Sequence, residues 1–206
     1  MPIESILAFW GVTALLIVVP GPDWAFAISA GLRRQVLPAV AGIVVGYLLM
    51  TAVVAAGLGA LVAASPIALT VLTVVGALYL AWLGIGTVRR PGTLTTTDSS
   101  AGRRGTLAKG IAVSGLNPKG LLIFVAILPR FTDPQAALPT WAQLACLGLV
   151  FVVSCALVYS CVGLTARGLL RAKPVIAVVV SRVSGAAMIV LGAILLIEPI
   201  FGIVQG

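Results

Sequence analysis

Pro20-Gly21-Pro22-Asp23 interrupts an apolar run that extends from Ser5 to Gly31, and Asn117-Pro118-Lys119-Gly120 interrupts a second run from Leu107 to Leu128. Proline lacks the N–H that an interior helical turn needs, and its ring clashes with the turn before it. Each motif should therefore end one helix and begin another. In lipid a freed backbone group has no water to turn to, so such a break survives only where protein or a water-filled cavity receives it. Each break carries one charge, Asp23 in the first and Lys119 in the second. Discontinuous helices at corresponding places in two halves of a chain point to a transporter's substrate site.

Composition sets the same scene. Of 206 residues 61% are hydrophobic and only 9% charged, whereas soluble domains average about 25% charged residues. A bilayer core of ~30 Å needs about 20 helical residues. Runs of that order lie near Ser5–Gly31, Val36–Ala63, Pro66–Val88, Leu107–Leu128, Trp141–Leu164 and Val183–Ile203. The expected fold is an all-α polytopic membrane protein of six transmembrane helices, the first and fourth broken. The runs are too long and too evenly apolar for barrel strands. Glu4 stands where a signal peptide would carry cations, and the apolar run passes the break, so the first span is expected to be retained.

Basic residues collect in short cytoplasmic loops, and they test the span count. With six spans, one side of the membrane receives Arg33, Arg34, Arg89, Arg90, Arg103, Arg104, Lys109, Arg167, Arg171 and Lys173, while the other receives Arg130 with Asp133 nearby. Both termini are then expected outside. The net charge of +8 is explained by topology and lipid headgroups rather than by nucleic acid. Residues 91–106, rich in Thr, Ser and Gly, read as a cytoplasmic linker between a first three-helix repeat (1–90) and a second (107–206), within one membrane domain. Three spans per half make the repeats inverted. Pro22 stands as far from Arg34 as Pro118 from Arg130, and Gly76-Ala77 with Leu83-Gly84 is echoed by Gly185-Ala186 with Leu191-Gly192.

The chemistry of a break is two-sided. The helix that ends leaves carbonyls that attract cations, and the helix that begins offers N–H groups and a dipole that attract anions. Pro20, Gly21, Pro22, Asp23, Asn117, Pro118 and Lys119 are therefore the candidate substrate-binding residues. A zwitterion would set its carboxylate toward Lys119 and its ammonium toward Asp23 and the free carbonyls. Either charge alone near mid-membrane costs roughly 2.5–3.5 kcal/mol on insertion scales, so a direct Asp23–Lys119 ion pair is the alternative. Asp23 is also the proton-coupling candidate. Desolvation and a nearby cation act on a carboxylate in opposite senses, which leaves the coupling residue open.

Together with Gly31, Arg33-Arg34, Gly42, Gly46, the run Gly76-Ala77-Leu78-Tyr79-Leu80-Ala81-Trp82-Leu83-Gly84 and Ser184-Gly185-Ala186, the two break motifs occur in an order and spacing that resembles the LysE/RhtB-type amino-acid exporters. Those are bacterial inner-membrane carriers, and the resemblance covers nearly the whole chain. Members carry Asn or Asp after the first Pro-Gly-Pro, so Asp23 fits. The resemblance implies a secondary transporter that exports amino acids from the cytoplasm, driven by the proton gradient. The scarcity of intramembrane negative charge favours neutral amino acids over lysine or arginine, and the resemblance implies the homoserine, threonine or leucine type, or related small metabolites.

Other classes find little support. The chain has no histidine, no P-loop and too few carboxylates for a divalent-metal site, so no enzyme activity, metal or cofactor is expected. Cys146, Cys155 and Cys161 form no CxxC pair and read as buried apolar residues. Gly42 and Gly46 read as a close helix contact, and Trp10, Tyr79, Trp82 and Trp141 as belt or packing residues. Tyr47, Thr51, Ser154 and Tyr159 could line a cavity, but their phase is not fixed by the sequence. Glycine faces suit either a homodimer or packing within one chain. The competing function is a non-transporting membrane scaffold on the same fold, with its two charges permanently paired.

Overall fold

The computed structural model describes residues 1–19, 21–58, 66–89 and 102–172, together with scattered helical positions between 178 and 196. Pro20, residues 91–101 of the linker, the end of the second expected span and most of the sixth lie outside the described residues. All regular elements among the described residues are helical. They are α1 (Ile3–Val18), α2 (Pro22–Leu32), α3 (Val36–Val53), α4 (Pro66–Arg89), α5 (Arg103–Gly115), α6 (Pro118–Leu122) and α7 (Thr140–Ala172).

Both expected breaks are present. Helices α1 and α2 meet at 58°, and α5 meets the segment Lys119–Phe131 at 47°. Pro22 and Pro118 take the first turn of the new helix, where a missing N–H costs nothing. By length and composition Val36–Gly57 and Thr140–Ala166 can cross a membrane unbroken, and each bent pair can supply one further span. Beyond α6 the winding changes twice, to a π-turn at Ile123–Ile127 and a 3-10 turn at Leu128–Phe131. A second π-turn, Val54–Leu58, closes α3.

Two boundaries differ from the sequence reading. Helix α5 begins at Arg103, inside the expected linker, because Thr106 is buried and its hydroxyl bonds the Gln35 side chain, a tertiary contact that linker composition cannot show. Helix α7 continues past Leu164 to Ala172.

Helix α3 is the centre of the bundle, packed against α5 on one side and α7 on another, while α7 also lies along α1 and α2. Close approach depends on glycine. A Cβ on Gly46 would stand 2.9 Å from the Ile111 carbonyl and 3.1 Å from Ser114 Cβ, and Gly42 faces Gly110 across the same crossing. Gly46→Leu is thus expected to cost about 1–3 kcal/mol by overpacking, seen as a lower thermal midpoint in detergent. Gly11→Leu, with open space around it, should leave the midpoint unchanged.

The outer faces of these helices carry exposed Leu7, Leu15, Leu49, Val53, Val75, Leu78, Leu157 and Leu164, as suits side chains that meet lipid. Trp10, Trp82 and Trp141 are exposed with them. The cysteine reading needs correction. Only Cys155 is buried, whereas Cys146 and Cys161 are exposed, because at 3.6 residues per turn their spacing from Cys155 turns them away from its face.

Candidate functional site

At the centre of the bundle the Asp23 carboxylate is fully buried. It stands in the first turn of α2, where the helix dipole favours an anion. Four side chains donate to it. Tyr47 Oη (α3) reaches Oδ2 at 2.5 Å, Asn117 Nδ2 (the second break) reaches Oδ2 at 2.6 Å, Tyr159 Oη (α7) reaches Oδ2 at 3.3 Å, and Ser114 Oγ (α5) reaches Oδ1 at 2.7 Å. Three of these donors share Oδ2 and one takes Oδ1, so both oxygens of the carboxylate are engaged. Four of the expected spans thus meet on one residue.

Tyr47 is held by what surrounds it. Its ring lies over Gly120, where a Cβ would come within 2.6 Å of Cε1, and it meets Phe151 edge-on at 5.0 Å and Phe124 face-on at 6.1 Å. Asn117 does two jobs at once. Its Nδ2 donates to Asp23 and to Tyr47 Oη at 3.2 Å, while its Oδ1 caps α6 by accepting from Lys119 N at 3.1 Å.

Lys119 is also buried, yet it does not hydrogen-bond to Asp23. Its ammonium donates to the carbonyls of Leu16 at 3.1 Å and Val19 at 2.8 Å, at the end of α1. The break does gather a cation on its carbonyls, as the sequence suggests, but the cation is the chain's own. Trp24 completes this end, its indole N–H reaching the Ile17 carbonyl at 2.8 Å. Trp24→Phe keeps most of the ring's packing and leaves that acceptor unpaired. It is expected to lower stability by about 1–3 kcal/mol, measurable as a shifted unfolding midpoint at unchanged membrane yield.

Of the candidate residues, the structure brings Asp23 and Asn117 into direct contact and sets Lys119 on the opposite break. Gly21 is extended and precedes α2, its carbonyl accepting from Ala25 N at 3.0 Å. Pro22 and Pro118 shape the two helix starts, and Pro20 lies outside the described residues. Tyr47 and Tyr159, whose phase the sequence left open, both point at Asp23. Thr51 and Ser154 instead bond back to carbonyls of their own helices, those of Tyr47 and Val150. Ser114 and Trp24 were missed. Their signal was proximity to the two breaks, three residues before Asn117 and one after Asp23. No cluster of metal-ligating residues occurs among the described residues.

Two broken helices whose charged residues are buried inside an apolar bundle suit a carrier, and comparison with known proteins gives the family. Residues 14–199 match the family described as LysE type translocator. The chain belongs to that family. Among relatives, this LysE type translocator is 33% identical over 162 residues to a homoserine/homoserine lactone efflux protein of Salmonella typhimurium, covering 74% of this chain and 76% of that protein. It is 30% identical over 133 residues to a leucine efflux protein of Klebsiella pneumoniae, covering 60% and 61%. An uncharacterized membrane protein of Vibrio cholerae is 35% identical over 163 residues, covering 77% and 78%. No solved structure matches this LysE type translocator.

Proposed function

We propose that this translocator exports small neutral amino acids, or closely related metabolites, from the bacterial cytoplasm across the plasma membrane, coupled to the proton gradient. The observation that carries the reading is the buried meeting of the two breaks. The first supplies the Asp23 carboxylate and the Leu16 and Val19 carbonyls, the second supplies the Asn117 amide and the Lys119 ammonium, and the two ends of a zwitterion find complementary partners in that set. The family and the homoserine and leucine efflux relatives support the same class of cargo.

In this reading six spans form two inverted three-helix repeats, 1–90 and 107–206, joined by the linker 91–106, with both termini outside. The packing supports this reading. The second span of each half, α3 and α7, lies against the broken span of the other half, α5–α6 and α1–α2 respectively. Two described positions of the sixth expected span meet α4, Gly185 against Gly84 and Gly192 against Ala77. Rocking of the halves about the breaks would open the buried site to one side and then the other. Pro20, Gly21, Pro22, Asp23, Asn117, Pro118 and Lys119 form the substrate site, and Asp23 carries the coupling proton.

The scaffold alternative expects the two charges to be bonded to each other, whereas Lys119 donates to the Leu16 and Val19 carbonyls. The test is flux from proteoliposomes loaded with radiolabelled leucine or threonine, with and without an imposed proton gradient. Gradient-dependent flux with wild type, lost in Asp23→Asn, is the expected result. Equal flux with and without the gradient would remove the coupling claim.

A further inference from the structure

The carbonyls set free where α1 ends can be followed to their partners. Leu15 O accepts from Val19 N at 3.2 Å and Ile17 O from the Trp24 indole. Leu16 O and Val19 O converge on the Lys119 ammonium. Lys119 belongs to the other break, so this contact ties one discontinuous span to the other. A primary ammonium is a compact point charge with three rotatable donors, and two backbone oxygens cannot tell the ammonium of lysine from that of a small solute.

We propose that the Leu16 and Val19 carbonyls are the ammonium subsite of the carrier, and that Lys119 is its tethered occupant in the empty state. The proposal rests on the export reading above and adds a rule of selection. Lys119 cannot simply withdraw, because a buried charge needs a partner. Asp23 is not bonded to it, and its carboxylate already accepts from Tyr47, Ser114, Asn117 and Tyr159. An incoming carboxylate supplies one, and it draws the lysine off the carbonyls. The carbonyls then need a new donor, and the solute's own ammonium fills them. A zwitterion completes both halves of this exchange in one molecule. A plain amine leaves Lys119 unpaired, and a plain carboxylate leaves the two carbonyls unpaired. The exchange selects small amino acids against both.

The test uses the full-length protein in lipid nanodiscs, wild type and Lys119→Ala, titrated calorimetrically with n-propylammonium chloride and with sodium isovalerate. Removing the tethered competitor should let n-propylammonium bind the variant at least about tenfold more tightly than the wild type, since the subsite no longer has to be vacated first. The same salt should raise the thermal midpoint of the variant alone, and isovalerate should gain no affinity. Should the alanine variant fail to yield folded protein, Lys119→Val keeps part of the apolar stem, offers the carbonyls no donor and is titrated in the same way. Equal affinity of wild type and variant for n-propylammonium, or binding to neither, overturns the proposal. If the wild type exports amino acids and the affinities are nevertheless equal, the subsite is wrong and the export reading stands. If n-propylammonium prefers the variant and the wild type exports no amino acid, the subsite stands and the export reading falls.

Discussion

Alanine at position 23 is expected to abolish export and to weaken the fold at the same time. The Asp23 carboxylate is the shared acceptor of Tyr47, Ser114, Asn117 and Tyr159, and hydrogen bonds to a charged group contribute about 1.5–3 kcal/mol each. Without it several buried donors lose their acceptor, at about 1–3 kcal/mol for each that finds no other. Tyr47 and Asn117 already lie 3.2 Å apart and can satisfy one another, and the Ser114 hydroxyl can turn to a nearby carbonyl. A net loss on the order of 2–4 kcal/mol follows, read as a lower unfolding midpoint in detergent. Asp23→Asn separates the two effects. It keeps the volume and one oxygen, so the bundle should assemble, but it carries neither charge nor a titratable proton. Export should fall at least about tenfold at matched membrane abundance, the loss of one charge-assisted contact. Wild-type export in Asp23→Asn would remove Asp23 from the mechanism and leave it a structural tie.

Lys119→Ala carries the second large effect. The ammonium is the only side-chain donor that reaches Leu16 O and Val19 O among the described residues, and it is the cation assigned to the substrate's carboxylate. Loss of a charge-assisted contact of about 1.5–3 kcal/mol corresponds to about a 10- to 150-fold loss of rate, so flux should approach that of an empty vector. Lys119→Arg should not restore it. A planar guanidinium fork does not replace a compact ammonium between two converging carbonyls, and the buried space around position 119 has been shaped by a lysine. Export by either variant at the wild-type rate would contradict the assignment.

Much of this was legible in the sequence because the decisive features are local. A proline within an apolar run dictates a break wherever the run lies, and both breaks stand where Pro22 and Pro118 placed them. Gly42 and Gly46 share a helical face by spacing alone, and they meet α5 as that spacing suggested. What the sequence could not give was phase and partner. Tyr47, Thr51, Ser154 and Tyr159 are all polar groups on long apolar helices, but only the rotation of α3 and α7 decides that the two tyrosines face Asp23 and the others bond back to their own helices. The placement of Lys119 was hidden for a similar reason. A flexible four-carbon side chain chooses between a carboxylate and two carbonyls by their positions in space, and those depend on how the two broken spans cross. Cys146 and Cys161 show the limit of composition, since in lipid an apolar residue is equally at home inside or outside the bundle.

The central claim is export of small amino acids through the site where the two breaks meet. Its most direct test is the appearance of free amino acids outside bacterial cells fed mixed dipeptides, followed over time for wild type, Lys119→Ala and an empty vector. Faster appearance of one or a few neutral amino acids with wild type alone is the expected result, and it would name the substrate. Identical release from all three, with the protein confirmed in the membrane, would contradict the claim.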